Sequence, residues 1–591
     1  MIANPVLSRG IRVSISILIA MTGACGGRKS TNPVGITSIR WNVLATGGQL
    51  NDVWCSTSGN VYAVGLNGEV LRYDGSTWTD LTAFRAGSLY GIWGESDSTV
   101  FAVGSAGTLL RFDGRGWTST RAGALEYFFE VWGASSSCVF AVGGNSRGGS
   151  VFHFDGNAWA PMPVLVDAPL RGVWGSSSSN VYAVGEEGNI IRYDGEAWEV
   201  LAPLTSIRLN GVWGSSSNDV FVVGDAGLIL HYDGVNWSVV ESGTSSSING
   251  INGRSSTDIY AVGMNGLVMH YNGTTWRTVA SGTQEWLYDA SFSPEGPIYA
   301  VGQAGTVLQS TGTEWERILE GKLAQFYGVW GIDAENVFAV GRNGSIMSLN
   351  SGSLRYFDDP QFGVLEDVWG SDEDHLFAVG RSGRIVHFDG NEWSLTESPT
   401  SLNLFGVHGS SGTDVYAVGD SGLVLRYDGS GWRELARLGS RFLEGVWCSP
   451  TGKVYVAGDR GLYQFDGQQW SDVSPIDATF RSVWGRSDDD IFLSGTNGVV
   501  LHFDGHRWAL QQSETTGGFV EISGCNGDLV VGVSDGRNES GLIEVFDGSE
   551  WHTMAALSSK GAGMSAVWVS ADCGSIYCVG QQGRVLRGIP D

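Results

Sequence analysis

A chain of 591 residues is long enough to bury large cores without help from metals or crosslinks. Its 62 acidic residues against 35 basic ones give a net charge of −27 with no Lys or Arg run, which disfavours a nucleic-acid partner. Frequent Gly (88), scarce Pro (13) and 24 Trp suit many short strands joined by tight turns.

At the start of the chain, Arg9 and Arg12 precede an uncharged, mostly apolar run from Val13 to Met21, the shape of a signal peptide. The run is too short to span a membrane, which takes about 20 apolar residues. It stops at Thr22-Gly23-Ala24-Cys25, which resembles the lipobox of bacterial lipoproteins. The resemblance implies that residues 1–24 are removed, that Cys25 is acylated, and that 25–39 tether the rest to the bacterial cell envelope. The membrane contact would then be the lipid anchor alone, at the outer membrane, the cell surface or facing the periplasm. Thr22 departs from the Leu-like residue usual at that position, so secretion without acylation is the alternative.

From Trp41 onward one repeat dominates the chain. A clear copy is LNGVWGSSSNDVFVVGDAGLILHYDGVNW, from Leu209 to Trp237. Its Trp213 aligns with nine other Trp, and Asn252, Ser291, His408 and Ser523 replace it in four more copies, which makes 14. The usual step of 39 residues is the size of one four-stranded propeller blade. In each copy the LNGVW type reads as strand a, VYAVG as strand b, the GxIxRYDG type as strand c, and the Trp of DGxxW opens strand d. A tight turn such as Leu66-Asn67-Gly68 joins b to c, and Asp-Gly, as in Asp74-Gly75, joins c to d. The expected fold is therefore all-β: tandem β-propellers of 14 four-stranded blades, seven plus seven.

The chain opens on an isolated strand d at Trp41 and ends on a strand c at Arg584-Val585-Leu586. A ring closes when a terminal strand completes its last blade. The Asp-Gly turn is lost at Gln309-Ser310-Thr311-Gly312-Thr313, which places the junction there: one ring over 40–311 and a second over 312–591. On this reading the Trp41 strand completes the blade of Tyr299, and the Trp315 strand completes the blade of Tyr577. A split of six and eight blades, or one larger ring, is the alternative.

Cys525 and Cys573 fall in corresponding turns of neighbouring repeats and form the expected disulfide of an exported chain. Cys55 and Cys448 replace the Gly of Val-Trp-Gly and read as small buried residues. The pattern VGxxGxIxxYDGxxW resembles BNR or Asp-box propellers and, among them, the seven-bladed photosystem II stability and assembly factor family. That resemblance implies the fold and a scaffold role without an activity.

No catalytic set, cofactor site or metal site emerges, and the chain reads as a non-enzyme with no cofactor. A basic residue recurs on strand c (Arg72, Arg111, His153, Arg192, His231, His270, His387, Arg426, His502 and Arg587). Blades spread these residues around a circle, so they read as contacts within each blade rather than as a metal ring. The loops that join d to a and b to c share one face and vary from copy to copy, and loops on a rigid scaffold commonly carry binding. Candidates there are Arg85, Tyr90, Tyr127, Arg147, Arg171, Glu186, Trp286, Tyr288, Arg342, Arg381, Arg441 and Arg460. Trp286 is singled out because, with Trp41, it lies outside the repeat positions. The leading expectation is a binding or assembly scaffold for a protein or glycan partner at the cell envelope. A sialidase-like glycan hydrolase or lyase is the alternative, and it would need three arginines and two carboxylates in one pocket.

Overall fold

Strand b is the most apolar segment of every copy, and it lies in the middle of the blade: Val61–Gly65 is buried along its whole length. A computed structural model describes residues 39–82, 87–123, 126–202, 204–293, 296–310, 314–319, 324–351, 353–513, 519–525, 527, 529–534, 542–548, 550–556 and 563–590. Cys25 and Arg85 lie outside them. Among the described residues no helix is long and apolar enough to cross a membrane.

Each copy is an antiparallel sheet with its strands in sequence order, twelve of them separate and two joined edge to edge in an eight-stranded sheet. The turns follow from residue type. Asn67 and Gly68, at φ 61° and 77°, take the left-handed conformations that Asn and Gly tolerate best. The Asp74 carboxylate accepts hydrogen bonds from the Ser76 and Thr77 amides at 2.9 and 2.8 Å, and these bonds hold its pKa well below the usual carboxylate range. The strand-c histidines pair inside their own blades, with Nε2 of His231, His270 and His502 at 2.6, 2.9 and 2.7 Å from Asp219, Asp258 and Asp490.

Apolar cores lie between blades, as where Tyr62, Val64 and Val70 meet Leu89, Ile92 and Val100. One contact repeats around both rings. The strand-a Trp of each blade lies over the backbone of the next blade, at the Gly that follows that blade's own Trp position. A Cβ added to that Gly would come within 2.5–2.9 Å of the indole in all ten cases, from Trp54 on Gly94 to Trp568 on Gly331. The four blades that lack the Trp are followed by blades that lack the Gly. Asn252 precedes Phe292, His408 precedes Cys448, Ser523 precedes Val569, and Ser291 of the seventh blade precedes Cys55 of the first. In three of these pairs the smaller side chain takes an amide instead: Ser291 Oγ from Cys55 at 3.2 Å, His408 Nδ1 from Cys448 at 3.2 Å, and Ser523 Oγ from Val569 at 3.3 Å. Ser291→Trp is therefore expected to cost about 1–3 kcal/mol through overpacking against Cys55, and Cys55→Gly in the same chain should recover most of it. Urea unfolding of both variants checks this, and a double variant no more stable than the single would remove the pairing rule.

These contacts close two rings. The strand a of the first blade, Leu50–Cys55, packs on the seventh blade, Leu287–Leu319, and that of the eighth, Phe326–Asp333, packs on the last, Met564–Pro590. The closure read from the sequence, in which each ring is completed by its own opening strand, does not occur. Val307–Ser310 and Trp315–Leu319 pair with each other as c and d of one blade, with Ser310 opposite Trp315, so the first ring runs on to Leu319 rather than ending at 311. Losing Asp-Gly left the two strands paired, with four residues between their facing ends as between Tyr73 and Trp78. The opening strand, Ile39–Ala45, instead completes the blade of Tyr577, with Trp41 opposite Gly588 and Val43 opposite Leu586. Its Asn42 also pairs with Thr79 at the outer edge of the first blade, so this strand joins the two rings. An ion pair between Arg584 and Asp80 spans the same seam, and Thr46 Oγ1 donates to Glu69 Oε1 at 3.0 Å.

Candidate functional site

Strand a is the innermost strand, and its residues build the channel through each ring. In thirteen of the fourteen blades the register of a against b shifts at its second residue, as between Leu50 and Asp52. Such a bulge leaves one residue outside the ladder and re-aims its side chain. The bulged residues are Asn51, Tyr90, Phe129, Arg171, Asn210, Asn249 and Tyr288 in the first ring, and Tyr327, Glu366, Phe405, Glu444, Arg481 and Ser565 in the second, where Val520 occupies the same place. They line the channel mouths. The residue after each is the repeat Gly in seven of the fourteen copies. Asp52, Glu130, Asp289, Asp367 and Glu521 replace it, and each of these carboxylates is directed into a channel wall.

The mouth of the first ring encloses about 250 Å³. Asn51, Asn210 and Asn249 donate to the carbonyls of Leu89, Ile248 and Leu287 in the next blade, at 2.6, 2.9 and 2.8 Å. The Arg171 guanidinium lies 4.1 Å from the Phe129 ring centroid and bonds Glu186 at 2.5 Å, while Tyr90 stands 5.6 Å from Phe129. Below them, Asp52 accepts from the Val53 and Ile92 amides at 2.7 and 2.5 Å, and Glu130 from Val131 at 2.9 Å. Burial raises all three pKa values; bonds to Asp289 and Glu130 oppose the rise at Asp52, while repulsion from Asp52 adds to it at Glu130 and Asp289.

The second ring holds a larger cavity, about 630 Å³, that runs from the mouth past five strand-a Trp. Arg381 Nε donates to Glu366 at 2.6 Å, and Arg481 lies 3.9 Å from Glu444. Deeper, Asp367 accepts from the Val368 and Val407 amides at 2.8 Å each, and Glu521 from Val567 at 2.8 Å. These bonds tie each inner strand to the next and satisfy amides that would otherwise face the channel. Burial pushes Asp367 up to about 7 and Glu521 well above the usual range, with mutual repulsion adding to the latter. His408, in the Trp position, is held down to about 4 by burial and stays neutral.

Of the candidates read from the sequence, Tyr90, Arg171 and Tyr288 line the first mouth and Arg381 lines the second. Glu186 holds Arg171 in place. Tyr127, 45% exposed, stacks on Phe129, and Trp286 is 36% exposed at the rim. Arg147, Arg342 and Arg460 project from exposed b-to-c turns, and Arg441 lies 3.7 Å from Asp459. The candidate set is thus divided between two mouths and an outer rim. Cys525 and Cys573 are disulfide-bonded with Cα atoms 5.4 Å apart, joining the last two blades. Sequence reasoning missed the five channel carboxylates. Their signal was present, an acidic residue in place of the repeat Gly two positions before the Trp. Among the described residues no three His, Cys, Asp or Glu are arranged to hold a metal ion.

No protein-family model matches the chain, and no curated protein does. Solved structures do. PorZ, described as an essential bacterial surface component of the type-IX secretion system of Porphyromonas gingivalis, is 13% identical over 93% of this chain and 87% of its own, with a TM-score of 0.56. The GH74 enzyme of Niastella koreensis is 14% identical over 94% of this chain and 99% of its own, with a TM-score of 0.63. At such identities the likeness shows the fold, a tandem propeller array. The finer resemblance to Asp-box and assembly-factor propellers rests on the repeat residues alone.

Proposed function

We propose that this protein is a non-enzymatic binding or assembly scaffold of the bacterial cell envelope, anchored through Cys25, that engages a protein or glycan partner through the face bearing its two channel mouths. The observation that carries the reading is the contrast between faces. The c-to-d turns keep Asp-Gly in ten copies, whereas the bulged mouth residues range over Asn, Tyr, Phe, Arg, Glu and Ser. A rigid ring that presents variable polar and aromatic groups is a recognition surface. The likeness to a bacterial surface component agrees with an envelope location.

Trp286 is the sharpest test, because an exposed indole on the rim suits an anchor residue. The mature chain is used to capture a partner from envelope extract, and the affinity for that partner is then measured. Trp286→Ala is expected to weaken it by about 2 kcal/mol while leaving the melting temperature nearly unchanged. Loss of stability instead of binding would show Trp286 to be a packing residue and remove it from the site.

The channel carboxylates favour a second reading, the sialidase-like glycan hydrolase or lyase. That chemistry asks for three arginines around one carboxylate-bearing pocket, and the larger cavity offers two, Arg381 and Arg481, each beside a glutamate. Release of sugar from sialylated or neutral oligosaccharides by the purified chain would decide for the enzyme.

A further inference from the structure

The cavity of the second ring holds an imbalance of charge. Five carboxylates and two arginines line it, and the arginines lie beside Glu366 and Glu444. Asp420 accepts from Asn403 Nδ2 at 2.9 Å, which leaves Asp367 and Glu521 deep in the channel, where neither forms an ion pair among the described residues. The charged groups that act on Asp367 are Glu366 on its own strand and Glu521 across the channel, and the neighbouring His408 is neutral. The wall around them is aromatic, with Trp330 and Trp369 at 6.5 Å between centroids and Trp369 and His408 at 5.4 Å. Buried carboxylates without a counter-ion, inside a cage of indole rings, favour a positive guest twice over, by charge and through the ring faces.

We propose that this cavity binds an organic cation, an ammonium or guanidinium group, with Asp367 and Glu521 as its counter-ions and the Trp belt as its wall. The inference rests on the scaffold reading and gives it a ligand chemistry. The first ring does not offer the same site: its three carboxylates interact with one another, and its cavity is about 250 Å³. A cation enters with the ionised carboxylates, so binding releases protons. Affinity therefore rises with pH as Asp367, pushed up to about 7, loses its proton.

The cation has two possible sources, a free polyamine or a basic side chain on a partner segment. Spermidine and a capped oligolysine peptide, each titrated into the full chain at physiological salt, represent them, with Trp fluorescence and calorimetry as readouts. A saturable response that tightens between about pH 6 and 8, and weakens at least about tenfold in Asp367→Asn/Glu521→Gln, supports the site. Phe405→Lys, a change at the mouth, should weaken binding too and serves if the double variant does not fold. Asp52→Asn, in the first ring, should leave it unchanged. Preference for spermidine identifies a free amine, and preference for the peptide identifies a partner's basic segment. No saturable response to either probe overturns the proposal. So does a response that the folded double variant and Phe405→Lys both retain, which marks unspecific attraction to a chain of net charge −27. If neither probe binds while the chain still captures the envelope partner that Trp286→Ala loses, the cation site falls and the scaffold reading stands.

Discussion

Trp213→Ala is expected to destabilise the first ring by about 3–5 kcal/mol, the usual cost of truncating a buried Trp. Trp213 is 8% exposed, and its indole covers Gly253 of the next blade so closely that a Cβ there would lie 2.6 Å from Cη2. The truncation leaves a void that the rigid blades flanking it cannot fill, because both are held by ladders on either side of the gap. Differential scanning calorimetry should show the first ring melting lower by roughly 10 °C, taking about 2–4 °C per kcal/mol for a unit of this size. A loss below about 1 kcal/mol would mean that the Trp belt lines the channel without holding the blades together.

The same contact explains how much of the architecture the sequence carried. Blade number and strand order followed from Gly, Asp-Gly and Trp spacing, because each turn and each inter-blade contact needs one residue type. Ring closure is legible too, in the pairing of each strand-a Trp with the Gly of the next blade. Cys55, in place of Gly, requires a predecessor without Trp, and Ser291 of the seventh blade supplies one, whereas Trp568 of the last blade does not. Gly331 of the eighth blade requires a Trp before it, which Trp568 supplies. A split of six and eight blades would set Phe292 against Trp568, and one large ring would set Cys55 against it.

The opening strand was misassigned because the lost Asp-Gly turn near Thr311 imitated a junction, and pairing of strand edges depends on long-range geometry that turn residues do not encode. The site was less legible than the fold. Tyr90, Arg171 and Tyr288 could be read as loop residues, but the bulge that turns them to the axis is a property of the paired sheet, whereas Arg381 reaches the second mouth from a b-to-c turn. The five channel carboxylates stood out only as exceptions to a repeat, and their chemistry comes from burial.

Removing the strand Ile39–Ala45 is expected to open the second ring while sparing the first. Six of its residues pair with the Val585–Pro590 strand, Val43 is 3% exposed and Ala45 is fully buried, so deletion strips the last blade of its outer strand. Burial of one valine contributes about 1.5–3 kcal/mol and each ladder hydrogen bond about 0.5–1.5 kcal/mol, so the second ring should lose several kcal/mol. That corresponds to roughly 10 °C or more in its melting transition. A chain beginning at residue 39 is the control, since it keeps the strand. The exposed edge of Val585–Pro590 is then a template for any extended peptide, and a synthetic Ile39–Ala45 peptide added in excess should restore the transition. If the deletion leaves the second transition in place, or if it lowers the first ring instead, this strand does not close the ring it is paired with, and the seam marked by Arg584 and Asp80 must hold the last blade unaided.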